Sequence, residues 1–456
     1  MEKPHALVVP YPAQGHVIPF MELSHCLMDH GFKITFVNTE FNHARVVAAL
    51  PKMGRVQEQI RLVSIPDGMA PGEDRNDLGK QCASILRVMP HGLEALIRKI
   101  NESDHDKISC IIADGTMGWA VEVAVKMGIR AAAVWTVTVS LCALLFHIPK
   151  LIEDGIIDTD GFPTTQQMIK LSPTMPQFNT TQLVWLFVGD RDAQRSLFRY
   201  LHECTQAAKL ANWLLCNSFY EIEPSACELV PNIRLIGPLL AGRRLGRLEG
   251  NFWPEDPTCL SWLDEQPPRS VVYIAFGSFT IFNRRQFHEL ALGLELSNRS
   301  FLWVVRPDLT DGPSDAYPDG FEARVAGRGR IVGWSPQQKV LAHPSISCFL
   351  THCGWNSTME GMSNGVPFLC WPYFGDQLQN QIYISDVWKV GLHLKHDSSG
   401  IIPREEIKGK LDELLGDEGI RARSLELKQT ARKNVAEGGS SFKNFNDFIE
   451  AIKLEK

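Results

Sequence analysis

Two places in the chain combine residue types at a spacing that could do chemistry. The first is Tyr11-Pro12-Ala13-Gln14-Gly15-His16, a loop that leaves an apolar strand and enters a helix whose Pro19 suits a first helical turn. Near a helix N-terminus the dipole disfavours the imidazolium, so His16 stays neutral and can take a proton as a general base. Asp114 ends the apolar run Cys110-Ile111-Ile112-Ala113. In a doubly wound sheet the first and fourth strands are commonly neighbours, so their carboxyl ends meet. Asp114 could then hold one ring nitrogen of His16 and stabilise the charge that develops on it. The second place is His352-Cys353-Gly354-Trp355-Asn356-Ser357-Thr358, where the strand Ile346–Leu350 turns into a helix. Backbone N–H groups and the positive dipole end at such a turn suit a diphosphate. Gly354 permits close backbone approach, Asn356 and Ser357 can cap and donate, and His352 adds a further donor. Glu360, one turn into the helix, suits hydrogen bonding to vicinal hydroxyls.

The elements that would carry these groups are legible as alternating strand and helix patterns. Ala6–Pro10, Lys33–Val37, Arg61–Ile65, Ser109–Ala113, Ala131–Trp135 and Trp213–Asn217 read as strands in the first half. Val271–Phe276, Phe301–Val305, Arg330–Val332, Ile346–Leu350 and Pro367–Trp371 read as strands in the second. Most are continuous apolar runs, as expected of strands covered on both faces, and many spacers are long enough for a crossover helix. The expected fold class is α/β, with two Rossmann-like, doubly wound parallel-sheet domains facing across a cleft, and ligands at the carboxyl ends of both sheets. The expected domains are 1–240 and 257–440, joined by an exposed linker over 241–256. A final helix over 441–456 presents Phe442, Phe445, Ile449 and Ile452 on one face and should pack back on the body.

Residues Trp334 to Gln377 form a continuous 44-residue block, WSPQQKVLAHPSISCFLTHCGWNSTMEGMSNGVPFLCWPYFGDQ. The block resembles the signature box of plant secondary-product glycosyltransferases, the UDP-dependent family 1 enzymes with the two-domain GT-B fold. The Pro-x-x-Gln-Gly-His run ending at His16 and the Trp-Leu-Asp at Trp262–Asp264 extend the resemblance along the chain. The resemblance implies inverting transfer of a hexose from a UDP-sugar to a small acceptor. It implies that Trp334 stacks under the uracil while Gln337 and the backbone of Ser335 read its edge. Glu360 would hold the ribose, and His352, Gly354, Asn356, Ser357, Ser278 and Thr280 would serve the diphosphate side. Asp376, Gln377, Trp355 and Thr136 would lie at the sugar. His16 and Asp114 are the implied catalytic pair. A closing Gln, here Gln377, tends to accompany glucose in this family.

Acceptor identity is much less legible. The variable segments Asp67–Val88, Phe146–Tyr200 and Phe279–Arg284 should shape that pocket, and Gly15, His16, Phe146 and Trp185 are candidates to line it. Their aromatic content suits a flat, apolar flavonoid or other phenolic, and suits a terpenoid almost as well. An epimerase or a non-catalytic UDP-sugar-binding protein on the same scaffold is the alternative.

Several other classes are disfavoured. A net charge of -6 argues against nucleic acid, and no basic amphipathic helix points to a membrane surface. The apolar stretch Ala131–Phe146 is broken by Thr136, Thr138 and Ser140 and is too short to span a bilayer. The N-terminal residues enter a strand-like run without a signal-peptide pattern, so a cytoplasmic location is expected, with the eleven scattered cysteines reduced. The Asp-x-Asp pairs at Asp104/Asp106, Asp158/Asp160 and Asp190/Asp192 lie in polar, loop-like stretches, so no metal cofactor is expected. Gly361-Met362-Ser363-Asn364-Gly365 has the hydrolase pattern in the wrong order, after a helix and before a strand. The expected partners are a UDP-sugar and a small molecule, with the protein a monomer.

Overall fold

Valine, isoleucine and alanine runs that bury both faces become the central strands of two parallel sheets. The computed structural model describes residues 3–49, 60–102, 106–240, 250–310 and 317–454. The chain divides into two compact units, Met1–Trp253 with Lys433–Lys456, and Pro254–Arg432. The first division, at 253/254, falls within the expected linker, whereas the second lies at 432/433 rather than at residue 440. The helix Glu418–Val435 runs through the second boundary, which explains why composition gives no sign of it. Residues 241–249 of the expected linker lie outside the described residues.

In the first unit β1 (His5–Val9), β2 (Lys33–Thr39), β3 (Ile60–Ile65), β4 (Cys110–Asp114) and β5 (Arg130–Trp135) follow the expected strands to within one or two residues. A two-stranded antiparallel pair, β6 (Met168–Ile169) and β7 (Phe178–Asn179), stands apart from the main sheet. The main sheet adds β8 (Trp213–Cys216) and β9 (Ile233–Leu235) in the order β3-β2-β1-β4-β5-β8-β9. All its pairings are parallel. Ala6, Val8, Ile34, Phe36, Ile112 and Val134 share one core with Val17, Phe20 and Leu27 of the helix Gln14–Asp29.

The second unit repeats the plan. Its strands are β10 (Val271–Ala275), β11 (Ser300–Val304), β12 (Gly329–Val332), β13 (Ile346–Thr351), β14 (Phe368–Cys370) and β15 (Gly391–His393). Their order is β12-β11-β10-β13-β14-β15, again all parallel.

The last helix, Ser440–Leu454, does join the first unit's core, but through Phe448, Ile449 and Ile452, with Phe445 packed against them. Phe442 is exposed. Positions 445, 448, 449 and 452 form the tighter helical stripe, and Phe442 sits off its edge. The apolar stretch 131–146 is split into β5 and the helix Val139–Phe146. No helix among the described residues is long and apolar enough to cross a membrane. The Gly361–Gly365 run closes the helix Trp355–Asn364, with Gly365 in the left-handed region and Ser363 buried. None of the eleven cysteines is in a disulfide.

Candidate active site

In the first unit, pairing of β1 with β4 sets Val9 opposite Ala113, so the residues that leave these strands emerge at one end of the sheet. The helix after β1 begins at Gln14, which makes His16 its third residue and puts Pro19 in the second turn rather than the first. His16 Nδ1 lies 2.7 Å from Asp114 Oδ2. The other carboxylate oxygen accepts from the Thr116 backbone N–H at 2.9 Å and from its hydroxyl at 2.7 Å. The Asp114 side chain is 1% exposed and that of His16 23%, so the acid is buried and the ring reaches solvent. An ionised carboxylate only accepts, so Nδ1 carries the proton and the basic lone pair lies on Nε2. Thr136, one residue past β5, is buried, with Oγ1 3.1 Å from the same Nδ1. The Tyr11 ring flanks His16 at a centroid distance of 5.2 Å and donates its hydroxyl to Gln81. These side chains can orient an imidazole and buffer the charge it gains on taking a proton.

The candidates for the acceptor pocket separate. Gly15 is exposed beside His16, and Phe146 is half-buried at the end of its helix. Trp185 is fully buried, with its indole N–H donated to the Gly161 carbonyl at 2.7 Å and its ring 5.0 Å from Phe198. An indole engaged on both its polar and apolar sides is anchoring the chain around it.

In the second unit β13 runs into His352, Cys353 and Gly354, and a helix spans Trp355–Asn364. Gly354 occupies the N-cap without a side-chain cap, so Asn356 and Ser357 are the second and third helical residues, not caps. The His352 ring fits between two glycines. A β-carbon on either Gly277 or Gly354 would come within 2.5 Å of His352 Nε2. Burial, reinforced by the Arg306 charge, holds the His352 pKa down to about 4 against a hydrogen bond with the Ala275 backbone. The ring is therefore neutral near pH 7, and its single N–H is the one that bonds the Ala275 carbonyl. Ser278 is half-buried, while Thr280 is buried and its hydroxyl has no hydrogen-bond partner among the described residues.

Arg306, just past β11, is 2% exposed. It donates to the Gly277 carbonyl, to the Thr280 carbonyl at 2.8 Å and to Asp308 at 2.9 Å. One guanidinium thus fixes both ends of the Gly277–Thr280 loop, and burial lowers its pKa.

Trp334 is half-buried, and its carbonyl accepts from the Asp256 N–H at 2.9 Å. The Gln337 amide donates from Nε2 to Glu360 at 2.6 Å and to Ser357 at 2.9 Å. Its Oε1 accepts from the Tyr273 hydroxyl at 3.0 Å, and that hydroxyl is 2.8 Å from Ser335 Oγ. Asp376 Oδ2 accepts from Asn380 Nδ2 at 2.9 Å, and the same nitrogen donates to the Cys353 carbonyl at 2.8 Å. Gln377 Oε1 accepts from the N–H groups of Tyr373 and Phe374, so its Nε2 donors are what it can offer a hydroxyl. Trp355 is 3% exposed, with its ring 6.4 Å from Trp388. Tyr273, Arg306 and Asn380 were missed from sequence. Tyr273 looks like one more residue of a buried strand, and Arg306 and Asn380 stand outside the block that carries the resemblance.

The acidic pairs are already engaged. Asp106 meets His5, Lys33 and Arg61, while Asp160 meets Arg195 and Arg199. Asp192 pairs with Arg195, and Asp190 caps the helix Arg191–Ala208. Asp158 binds the backbone of its own turn, and Asp104 lies outside the described residues. Among the described residues no group of three or more His, Cys, Asp or Glu could hold a metal ion.

A family model for UDP-glucoronosyl and UDP-glucosyl transferases matches residues 202–425. UDP-glycosyltransferase 83A1 of Arabidopsis thaliana is 44% identical over 465 residues, covering 100% of this chain and 98% of its own. The 7-deoxyloganetin glucosyltransferase of Gardenia jasminoides is 34% identical over 480 residues, covering 99% and 98%. Among solved structures, a UDP-glucosyltransferase from Polygonum tinctorium capable of glucosylating indoxyl, in complex with 3,4-dichloroaniline, superimposes with a TM-score of 0.83. It is 29% identical and covers 99% of each chain.

Proposed function

The chain belongs to the plant UDP-glycosyltransferase family and has its GT-B fold, and we propose that it transfers glucose from UDP-glucose to a hydroxyl of a small apolar acceptor with inversion at the anomeric carbon. The observation that carries the chemistry is the contact of His16 with buried Asp114 at 2.7 Å. His16 Nε2 takes the proton from the acceptor hydroxyl as its oxygen attacks the anomeric carbon. The bond from that carbon to the diphosphate oxygen breaks, and UDP leaves with the bonding electrons. Asp114 and Thr136 face the nitrogen that already carries a proton, so they stabilise the imidazolium that forms.

Donor binding falls to the second unit. The helix N-terminus after Gly354 and the unpartnered Thr280 hydroxyl suit the oxygens of a diphosphate, with the neutral His352 ring seated between Gly277 and Gly354 beside them. Gln337 and Glu360 serve the nucleoside, and Asp376 with the Nε2 donors of Gln377 serves the sugar. Support for glucose comes from Gln377 and from relatives named for glucosylating 7-deoxyloganetin and indoxyl, small molecules both. A phenolic or terpenoid alcohol fits that company. The reaction needs no metal in this reading, because the charge of the leaving diphosphate is met by oriented N–H and O–H donors. The ion pairs that hold the Asp-x-Asp residues support the same view.

The test is mass spectrometry of a mixed phenolic and terpenoid panel incubated with UDP-glucose and EDTA, with His16→Ala in parallel. A hexose added by the wild type alone, released by a β-glucosidase, is the expected result. Transfer that requires an added divalent cation, or an α-linked product, would overturn the mechanism.

A further inference from the structure

Tyr273 lies on the central strand β10 of the second unit, where Val272 and Ile274 point into the main core. Strand alternation sends Tyr273 to the opposite face, where it is 1% exposed and its ring stacks on Phe349 at 4.9 Å. That packing needs only the ring. The hydroxyl is costly to bury unless it is bonded, and it meets Ser335 Oγ at 2.8 Å and Gln337 Oε1 at 3.0 Å.

The directions of these bonds follow from chemistry. Glu360 accepts, so the end of the Gln337 amide that faces it at 2.6 Å must be the Nε2 donor. Gln337 Oε1 therefore faces Tyr273, whose single proton is donated to it. The Tyr273 oxygen is left to accept from the Ser335 hydroxyl. One directed chain runs from Ser335 through Tyr273 and Gln337 to Glu360, with Ser357 accepting at 2.9 Å from the same Nε2.

We propose that Tyr273 is a positioning residue for nucleotide selectivity, fixing through its hydroxyl which end of the Gln337 amide is presented to a nucleobase. The proposal rests on the reading of Gln337 and Ser335 as base contacts. Once Glu360 turns to ribose hydroxyls it no longer orients the amide, and Tyr273 is the group that still does. Uracil and cytosine differ by exchange of donor and acceptor on one edge, and an amide free to flip accepts both.

Tyr273→Phe keeps the ring and removes only the hydroxyl. UDP and CDP titrations and thermal melts on wild type, Tyr273→Phe, Gln337→Met and the double variant test the proposal. In Tyr273→Phe, UDP affinity should fall about three- to ten-fold, in keeping with one lost hydrogen bond. The preference for UDP over CDP should shrink by about three-fold or more, while kcat at saturating UDP-glucose stays within about two-fold. In the double variant UDP binding should be no weaker than in Gln337→Met alone, because both changes break one chain. An unchanged UDP to CDP ratio in Tyr273→Phe overturns the proposal, and with a lowered melting temperature it assigns the hydroxyl to stability alone. Additive losses in the double variant also overturn it. A wild type that binds no UDP, or binds CDP equally well, instead removes the donor-site reading beneath it.

Discussion

His16 Nδ1 and Asp114 Oδ2 lie 2.7 Å apart across 98 residues of sequence, because β1 and β4 are adjacent parallel strands. The buried carboxylate fixes the imidazole tautomer, which decides what each substitution does. His16→Ala removes the base and should lower kcat by about 100- to 10,000-fold. Asp114→Asn keeps the shape but no longer holds the proton on Nδ1, and should cost about 100-fold or more in kcat. Both variants should bind UDP as the wild type does, since the donor residues belong to the other unit. Steady-state kinetics with a UDP titration checks this, and weakened UDP binding in either variant contradicts it.

Gly277 and Gly128 share a left-handed backbone, with φ of 65° and 68°. They differ in surroundings. A β-carbon at Gly277 strikes His352 at 2.5 Å, whereas at Gly128 nothing lies within 4 Å. Alanine at either position should cost about 1–2 kcal/mol of stability through the backbone. Gly277→Ala alone should also displace His352 and weaken UDP binding. Denaturant melts paired with UDP titrations separate the two effects, and equal UDP affinity in the two variants contradicts the proposed role of the glycine.

The first of these relationships was legible in sequence and the second was not. A loop after one apolar strand and an acid closing another give away His16 and Asp114, because parallel-sheet order restricts which strand ends can meet. The three-residue edge strands β9 and β15 give too few residues to show a period. Exposed Phe442 stands only about 20° around the helix from buried Ile449, a difference that sequence spacing resolves poorly. Arg306 shows the deeper limit. Nothing in Val304-Val305-Arg306-Pro307 says that the guanidinium turns inward to the carbonyls of a loop 29 residues earlier. Donor atoms that bind backbone leave no partner residue type to search for.

Arg306 is the next residue to change. Its bonds to the Gly277 and Thr280 carbonyls hold the loop beside His352, and its charge helps keep that ring neutral. Arg306→Met should loosen the loop, lower the melting temperature and raise the His352 pKa above about 4. Lysine, with one compact donor group in place of a fork, should restore stability only in part. NMR titration of the His352 ring in wild type and Arg306→Met reads the electrostatic effect directly. An unmoved pKa would mean that burial alone sets it.

The lowered His352 pKa also fixes the sign of a pH dependence. The unfolded chain takes up this proton near the ordinary value of 6.5, and the folded protein only near 4. Between these values the unfolded state binds more protons, so stability must fall as pH drops from about 6.5 toward 4. The ceiling on this single group is about 3 kcal/mol. Asparagine at this position does not titrate, so His352→Asn should flatten the pH slope over that window even if it lowers stability at pH 7. Binding follows the same logic. The ring stays neutral above about pH 4, so KM for UDP-glucose should stay nearly flat from pH 8 to about 5. Urea melts and initial rates at matched pH values measure both. A KM that rises steeply below pH 6.5 would mean that His352 titrates at its ordinary value.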